Sequence, residues 1–367
     1  MELFGYSVIL LLSTVLCWGL PGRINIGGVF EFDDAESEAV FRVAIDRLNR
    51  DESLLKTSRI ITMVERIYSD DSFKASEICC GLLGKGVAAV FGRLPELVSM
   101  HMQSICDSLE VPFIDSRWDY WLKRDHLSIN LYPHPNVLSS AFIHLINIWG
   151  WRDFFLVYEE DEAIVRMKEF LIEGEKALKE HLDVETEKSE NKDPKWKIRM
   201  YQFNRTSSFR DTFWQIKRAV KLNKKLNYHI VLDVSRKNLY TALKAAQQVG
   251  MMTEDQKYLI VSLDLHTIDM EDFQHTKANI TSFRLVQDEM PDFQNIMLEV
   301  NHRLSQRSHE PLKTLKTEAA LIYDSVLLLS DALEQMNQAK NITSIPPVSC
   351  NSMNKGIDGT SLINFMK

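Results

Sequence analysis

The stretch from Cys79 to Trp118, CCGLLGKGVAAVFGRLPELVSMHMQSICDSLEVPFIDSRW, decides the fold, because short apolar runs alternate in it with helical ones. Val87–Phe91 and Val111–Ile114 are too short and too continuous for helices. Ser72–Leu83 and Pro95–Leu109 instead repeat their apolar residues every three or four positions, the period of a helix with one buried face. Strands buried on both faces read as unbroken Val/Ile/Phe runs, and the helices between them supply the crossovers that parallel strands need. The pattern predicts a parallel α/β sheet, in which function sits at the carboxyl ends of the strands.

The same rhythm extends outward. Arg23–Phe32 reads as the first strand, and Gly27-Gly28 inside it predicts close approach by a neighbour. Glu36–Asn49 follows as a helix with Val40, Ala44 and Leu48 on one stripe. Ile60–Ile67 is the next strand, and Ser72 is the expected N-cap of the helix after it. Further strands are predicted at Ser128–Leu131, Phe154–Tyr158, Ile198–Phe203, Ile230–Val234, Leu259–Leu263 and Ile280–Leu285. The prolines of Leu131–Pro135 mark one crossing between lobes, and Ser262–His266, where the pattern changes, marks a second. The expected organisation is a leader over 1–22, a first lobe over 23–133, a second over 134–262 and a return to the first over 263–367. Two such lobes would face each other across a cleft, with hinges at the crossings. The charge-dense stretch Leu182–Lys197 reads as a solvated loop of the second lobe.

The chain has 367 residues, 45% hydrophobic and 26% charged, with a formal net charge of −8. That size suits two lobes rather than one core, and the composition is that of a globular protein. Without a concentrated basic face, a nucleic-acid partner is not expected. Residues 8–16, VILLLSTVL, followed by small residues and Pro21, read as a secretory signal, although Glu2 stands where a basic residue is usual. Sequons at Asn204, Asn279 and Asn341 agree with an extracellular destination. No apolar run of 18 or more follows the leader, so this stretch is expected neither to contact a membrane nor to form a pore.

Several blocks, in order along the chain, resemble the amino-terminal domain of ionotropic glutamate receptors, most closely the kainate type. They are Gly86-Val-Ala-Ala-Val-Phe-Gly92, Gln103-Ser-Ile-Cys106 with Val111-Pro112 and Arg117-Trp118, Leu131-Tyr-Pro133, Gly250-Met-Met-Thr-Glu254 with Leu263-Asp264-Leu265, Asn279-Ile-Thr-Ser-Phe-Arg284, and Glu318-Ala-Ala-Leu-Ile-Tyr-Asp324. The resemblance implies a two-lobed clamshell of the type I periplasmic-binding-protein kind and a subunit of a ligand-gated cation channel at glutamatergic synapses. It further implies pairing with other receptor subunits through first-lobe helices, a place on the extracellular side of the plasma membrane, with the postsynaptic membrane expected, and contact with extracellular synaptic proteins. Members of the family continue into a glutamate-binding domain and pore, so the end at Lys367 is expected to mark a fragment or a truncated, secreted product.

Of the five cysteines, Cys17 lies in the leader. The kainate-type pattern places one bridging cysteine six residues before the glycine of the Gly-Val-Ala-Ala strand and another in the late loop, which implies a Cys80–Cys350 bridge. Cys79 is the rival partner, since neighbours on a helix point about 100° apart. Closing so long a loop stabilises by roughly 5 kcal/mol on the chain-entropy account. Cys106, on an apolar helix face, reads as a buried free thiol. Zinc is not expected, because Cys79-Cys80 lacks ligand spacing.

No catalytic motif is present, no cofactor is expected, and Asp33 and Asp34 read as residues favouring the start of the first helix. Clamshells that hold amino acids bind the ligand carboxylate with amides and hydroxyls at a helix start. Here that loop is Gly92-Arg93-Leu94-Pro95-Glu96, where Pro95 removes a donor and Glu96 repels an anion. Arg93 remains a candidate for a carboxylate, and Asp233, Ser235 and Asp264 for an ammonium group. Leu97, Met100, Met102 and Ile105 are the interface candidates, beyond what one inward stripe requires. The leading reading is a non-enzymatic assembly domain, with an amino-acid-sensing clamshell as its rival.

Overall fold

A computed structural model describes residues 20–51, 55, 58–68, 71–119, 127–172, 196–203, 208–222, 228–340, 342–351 and 356–367. Residues 1–19 of the leader, Asn204, Asn341 and most of the charged 182–197 stretch lie outside these residues. The chain divides into two units: the first ends at Tyr132 and resumes at Glu289, and the second runs Pro133–Asp288. Each is a parallel sheet flanked by helices, the architecture of the type I periplasmic-binding-protein kind.

The first lobe holds β1 (Arg23–Glu31), α1 (Ala35–Arg50), β2 (Arg59–Ile67), α2 (Ser72–Leu83), β3 (Val90–Arg93), α3 (Glu96–Ser108), β4 (Phe113–Asp115) and β5 (Ser128–Asn130). Its sheet runs β2-β1-β3-β4-β5, with every pair parallel. In the second lobe, α4 (Pro135–Ile148) leads to β6 (Asp153–Tyr158), α5 (Glu162–Arg166), β7 (Lys197–Gln202), α6 (Phe209–Leu222), β8 (Tyr228–Asp233), α7 (Arg236–Gln248), β9 (Gln256–Ile260) and β10 (Asn279–Ser282). Read from β7, that sheet is β7-β6-β8-β9-β10, the order of the first lobe repeated. The chain then returns to the first lobe as α8 (Pro291–Ser305), α9 (Thr317–Lys340) and α10 (Gly359–Met366).

The second crossing therefore falls at Asp288/Glu289, not at 262/263. Strand β10 is the reason: Asn279–Ser282 bond in register to Lys257–Ile260 of β9, which keeps that segment in the second lobe. The first crossing, at Tyr132/Pro133, differs by one residue from the expected position. Ser72 is the first helical residue of α2; the cap is Asp71, whose Oδ1 accepts from the Lys74 amide at 2.8 Å. A carboxylate suits that place better than a hydroxyl because it also meets the positive helix end.

Alternation along the strands sorts the first lobe into layers. Ile24, Ile26, Phe30 and Phe91 pack under α1, α9 and α10. Val29, Ile67, Val90 and Phe113 face the opposite way, under α2 and α3. The glycine pair in β1 serves both faces: a Cβ on Gly27 would stand 3.0 Å from Leu82, and one on Gly28 would stand 2.8 Å from the Phe41 ring. Gly86 (φ +69°) adopts a left-handed turn, and the late segment crosses it with the Ile345 carbonyl 2.9 Å from where a Cβ would sit. That segment continues through the Val348 amide, bonded to the Leu83 carbonyl, to Cys350, which is joined to Cys80.

Glu38, 2% exposed, is the most heavily bonded buried acid of α1. Arg42 Nε donates to it at 2.8 Å, Arg66 at 2.6 and 3.1 Å, and Arg307 at 2.9 Å twice. Burial alone would raise its pKa, but hydrogen bonds from Arg307, Arg66 and Arg42 override that and hold it well below the usual carboxylate range. These bonds fasten the end of β2 and the segment after α8 to α1.

Two outcomes are expected. The double substitution Cys80→Ser with Cys350→Ser lowers unfolding free energy by roughly 3–5 kcal/mol in urea titration, since it frees the late segment from α2. Because the folded pKa of Glu38 is depressed, its stabilisation is complete above the unfolded value of about 4.3 and is lost as pH falls below it. Glu38→Gln therefore costs about 2 kcal/mol at neutral pH, discounted for partly exposed arginines. It also flattens the fall of thermal midpoint with acidification, and an unchanged acid limb would refute the assignment.

Candidate functional site

In a doubly wound sheet, ligands bind where the strand order reverses, outside the carboxyl ends. In the first lobe that point lies between β1 and β3, and Arg93 ends β3 there. Its guanidinium is already satisfied from within. Nη1 donates to Asp34 Oδ2 at 2.8 Å and Nε to Glu318 Oε2 at 2.7 Å, with Glu31 at 4.0 Å. Asp34 is also the N-cap of α1, accepting from the Ser37 amide, so its role at the helix start holds and a second one is added. Glu318, in the first turn of α9, accepts the Trp118 amide through its other oxygen at 2.8 Å. Burial works against the charge on Arg93, but the attraction of Glu318 and Asp34 outweighs it and raises the pKa.

Beside Arg93, α3 begins at Pro95 without a side-chain cap and with Glu96 in its first turn. A carboxylate ligand entering here would meet a proline, an acid and a guanidinium that two near carboxylates already neutralise. At the end of β4, Asp115 is buried and accepts from Ser99 Oγ, from the Ser116 and Arg117 amides and from Arg117 Nε. Burial pushes its pKa up.

In the second lobe the reversal lies between β6 and β8, whose last residues Tyr158 and Asp233 are register partners. Asp233 is buried, its pKa raised by that burial, and Arg166 Nε lies 3.3 Å from it. Ser235 is exposed at the N-cap of α7, but its hydroxyl makes no cap bond. Glu159 fills the place instead, accepting the Ser235 amide at 2.9 Å and the Asn238 side-chain amide. The helix start that would hold a ligand carboxylate thus holds one from the chain itself. Asp264 lies apart, at the start of a single helical turn after β9, where its amide donates to Ser262 Oγ and its carbonyl accepts from Thr267 Oγ1. Of these three candidates, the structure brings Asp233 and Ser235 to one strand end and leaves Asp264 on the next. Glu159 and Glu318 were not singled out from sequence; their partners lie 76 and 225 positions away, beyond any local pattern.

The helix face is more telling. Helices α2 and α3 pack side by side over the sheet. Within α3, Val98, Met102 and Cys106 form the inward stripe; Met102 is fully buried and so belongs to the core, not to a surface. Ile105 is half-buried against that core. Leu97 is 73% exposed and Met100 39% exposed, and Phe73, in the first turn of α2, is 82% exposed. Phe32 and Tyr68 stack at 4.5 Å just past β1 and β2 and are exposed as well. Phe73, Tyr68 and Phe32 were missed because an isolated aromatic at an element end carries no periodic signal.

A cavity of about 460 Å³ lies elsewhere in this lobe, lined by Arg47, Arg50, Glu299, Tyr323 and Leu327 among others. Its two arginines both pair with Glu299. Asn279 is exposed at the start of β10, as a sequon acceptor requires. Among the described residues, no group of three His, Cys, Asp or Glu side chains is placed to hold a metal, and no helix is long and apolar enough to cross a membrane.

Comparison with known proteins agrees with this geometry. The receptor family ligand binding region matches residues 36–367. The mouse protein "Glutamate receptor ionotropic, kainate 1" (Mus musculus) is 30% identical over 338 residues, which is 88% of this chain and 38% of that protein. The Homo sapiens protein of the same name is 29% identical over 344 residues, 91% of this chain and 35% of that one. The chain thus spans just over a third of the length of the curated relatives it matches. Such relatives are receptors, and the matched region is a binding region, not an enzyme. The chain belongs to the receptor family ligand binding region, and within it is an amino-terminal domain of the kainate receptor type.

Proposed function

We propose that this domain is an extracellular recognition and assembly module of a kainate-type glutamate receptor subunit, one that pairs with sister subunits through α2 and α3 of its first lobe. The parent protein would be a cation channel of glutamatergic synapses, with the domain on the outer side of the postsynaptic membrane. There it would carry glycans at Asn204, Asn279 and Asn341 and meet extracellular synaptic proteins.

One observation carries this reading. Large apolar side chains stand in water on the α2–α3 layer, at Phe73, Leu97 and Met100, while the strand ends where a small molecule would bind are filled by the chain's own carboxylates. An exposed Phe or Leu in the first turn of a helix gains nothing in the isolated lobe, and contiguous exposed apolar surface marks interaction sites. Aromatic residues and Met are the types enriched at interface cores. Arg93 and the start of α7, by contrast, have no charge left to offer an amino acid: Asp34 and Glu318 hold the first, and Glu159 the second.

Sedimentation equilibrium at micromolar concentration is expected to show a reversible dimer. Leu97→Glu, on a side chain with no part in the core, is expected to weaken it by at least about tenfold, or 1.4 kcal/mol. A strict monomer, or a dimer indifferent to that substitution, would count against α3 as the contact. Calorimetric titration with glutamate, glycine and serine is expected to give no saturable heat. A one-to-one isotherm would turn the reading toward an amino-acid sensor.

A further inference from the structure

Two cysteines take no part in the bridge to Cys350. Cys79 in α2 and Cys106 in α3 are both fully buried, and their sulfurs lie 3.6 Å apart, in van der Waals contact. Ala75, Leu82, Met102 and Leu109 enclose them in one apolar cluster. Among the described residues, the only polar partner of either thiol is the other thiol. Among the described residues no third metal ligand stands with them.

We propose that Cys79 and Cys106 form a second disulfide in the mature protein, stapling α2 to α3 beneath the proposed contact surface. The sulfurs need close by only about 1.5 Å to reach bonding distance, which rotation about the Cα–Cβ bonds and a small helix shift can supply. The neighbouring residue does not compete. Cys80 is turned about 100° around α2 from Cys79 and is already bonded to Cys350, so one cysteine of the pair faces the tail and the other the core.

The chemistry balances with an oxidant of the disulfide class, such as oxidised glutathione. A Cys79 or Cys106 thiolate attacks its S–S bond and releases one glutathione thiol. The second cysteine then attacks the mixed disulfide and releases the other. Two protons and two electrons leave the protein, and one S–S bond of glutathione becomes two thiols. The step belongs to folding rather than to the finished domain. In the folded lobe the Cys106 thiol is pushed up in pKa, first by its hydrogen bond with Cys79 and then by burial, and neither sulfur is reachable from water. The bond therefore forms while α3 is still docking on α2, and afterwards no reagent reaches it.

This inference draws on the extracellular destination proposed above, so the test has an arm that does not depend on it. The full chain is obtained both as secreted protein and by refolding in a glutathione couple. Each sample is denatured without reductant, alkylated with N-ethylmaleimide, digested with trypsin and analysed by mass spectrometry. The peptide holding Cys79-Cys80 is expected to be joined to both the Cys106 and the Cys350 peptides, with no alkyl group on any of the four. In Cys79→Ala, the Cys106 peptide is expected to become alkylated while the Cys350 peptide stays attached. Alkylated Cys79 and Cys106 in the refolded protein would overturn the proposal, and so would release of the Cys350 peptide by Cys79→Ala. Alkylated Cys79 and Cys106 in the secreted sample would likewise overturn it, whereas a chain that oxidises on refolding but fails to be secreted would leave the disulfide standing and place the fault with the extracellular destination.

Discussion

A guanidinium at the carboxyl end of β3 governs how the first lobe is assembled. Arg93 is three-quarters buried, and a charge in that position is tolerated only when paired and hydrogen-bonded. Its partners come from far along the chain: Asp34 caps α1, and Glu318 opens α9 after the whole second lobe has been traversed. Satisfying one strand end therefore fixes the entry of the first helix and the return of the chain. Glu318 spends its second oxygen on the Trp118 amide, which draws the segment after β4 to the same point. Four of the elements around the first sheet are thus aligned by one cation and two carboxylates. Removing Arg93 would leave the two carboxylates without their cation, the costly case for such networks.

The second lobe solves the same geometric problem with the opposite sign. Its strand order repeats that of the first, so its reversal point has the same relation to its helices. Where the first lobe places a cation and must import acids, the second places the start of α7 and supplies Glu159. A free helix start with unpaired amides is an anion site; one already holding a carboxylate in hydrogen-bond contact is not. Each lobe keeps the architecture of a binding protein while satisfying the polar groups at its strand ends from within the chain.

How much of this the sequence disclosed follows from the range of each interaction. The strand and helix rhythm of 79–118 is local, so the sheet, the crossovers and the glycine pair of β1 could be read directly. Register and phase were less accessible. Leu97, Met100 and Met102 look alike as apolar residues of one helix, but only the 98–102–106 spacing faces the sheet, so Met102 is core and the other two are not. The segment Ile280–Leu285 reads as a strand without declaring which sheet it will join; the pairing of β10 to β9 settles that and moves the crossing to Asp288. Arg93 was visible as a residue but not as a filled one, because neither Asp34 nor Glu318 is near it in sequence. The bridge from Cys80 to Cys350 came from family resemblance, since spacing alone left Cys79 as a rival.

The exposed residues of α2 and α3 gain meaning from what lies beneath them. An association surface binds more tightly when its groups need not be ordered on contact, because less conformational freedom is then lost. Phe73 and Leu97 each stand in the first turn of a helix whose opposite face is anchored: α2 by Leu82 over β1, and α3 by Val98 and Met102 in the same cluster. At its far end α2 is held by the Cys80–Cys350 bond and by the late chain crossing Gly86. The buried cluster shared by the two helices, with the Cys79 and Cys106 sulfurs in contact inside it, fixes the spacing between their exposed side chains. On the assembly reading proposed above, a partner would read the distance between two helices, a quantity set by the core they share.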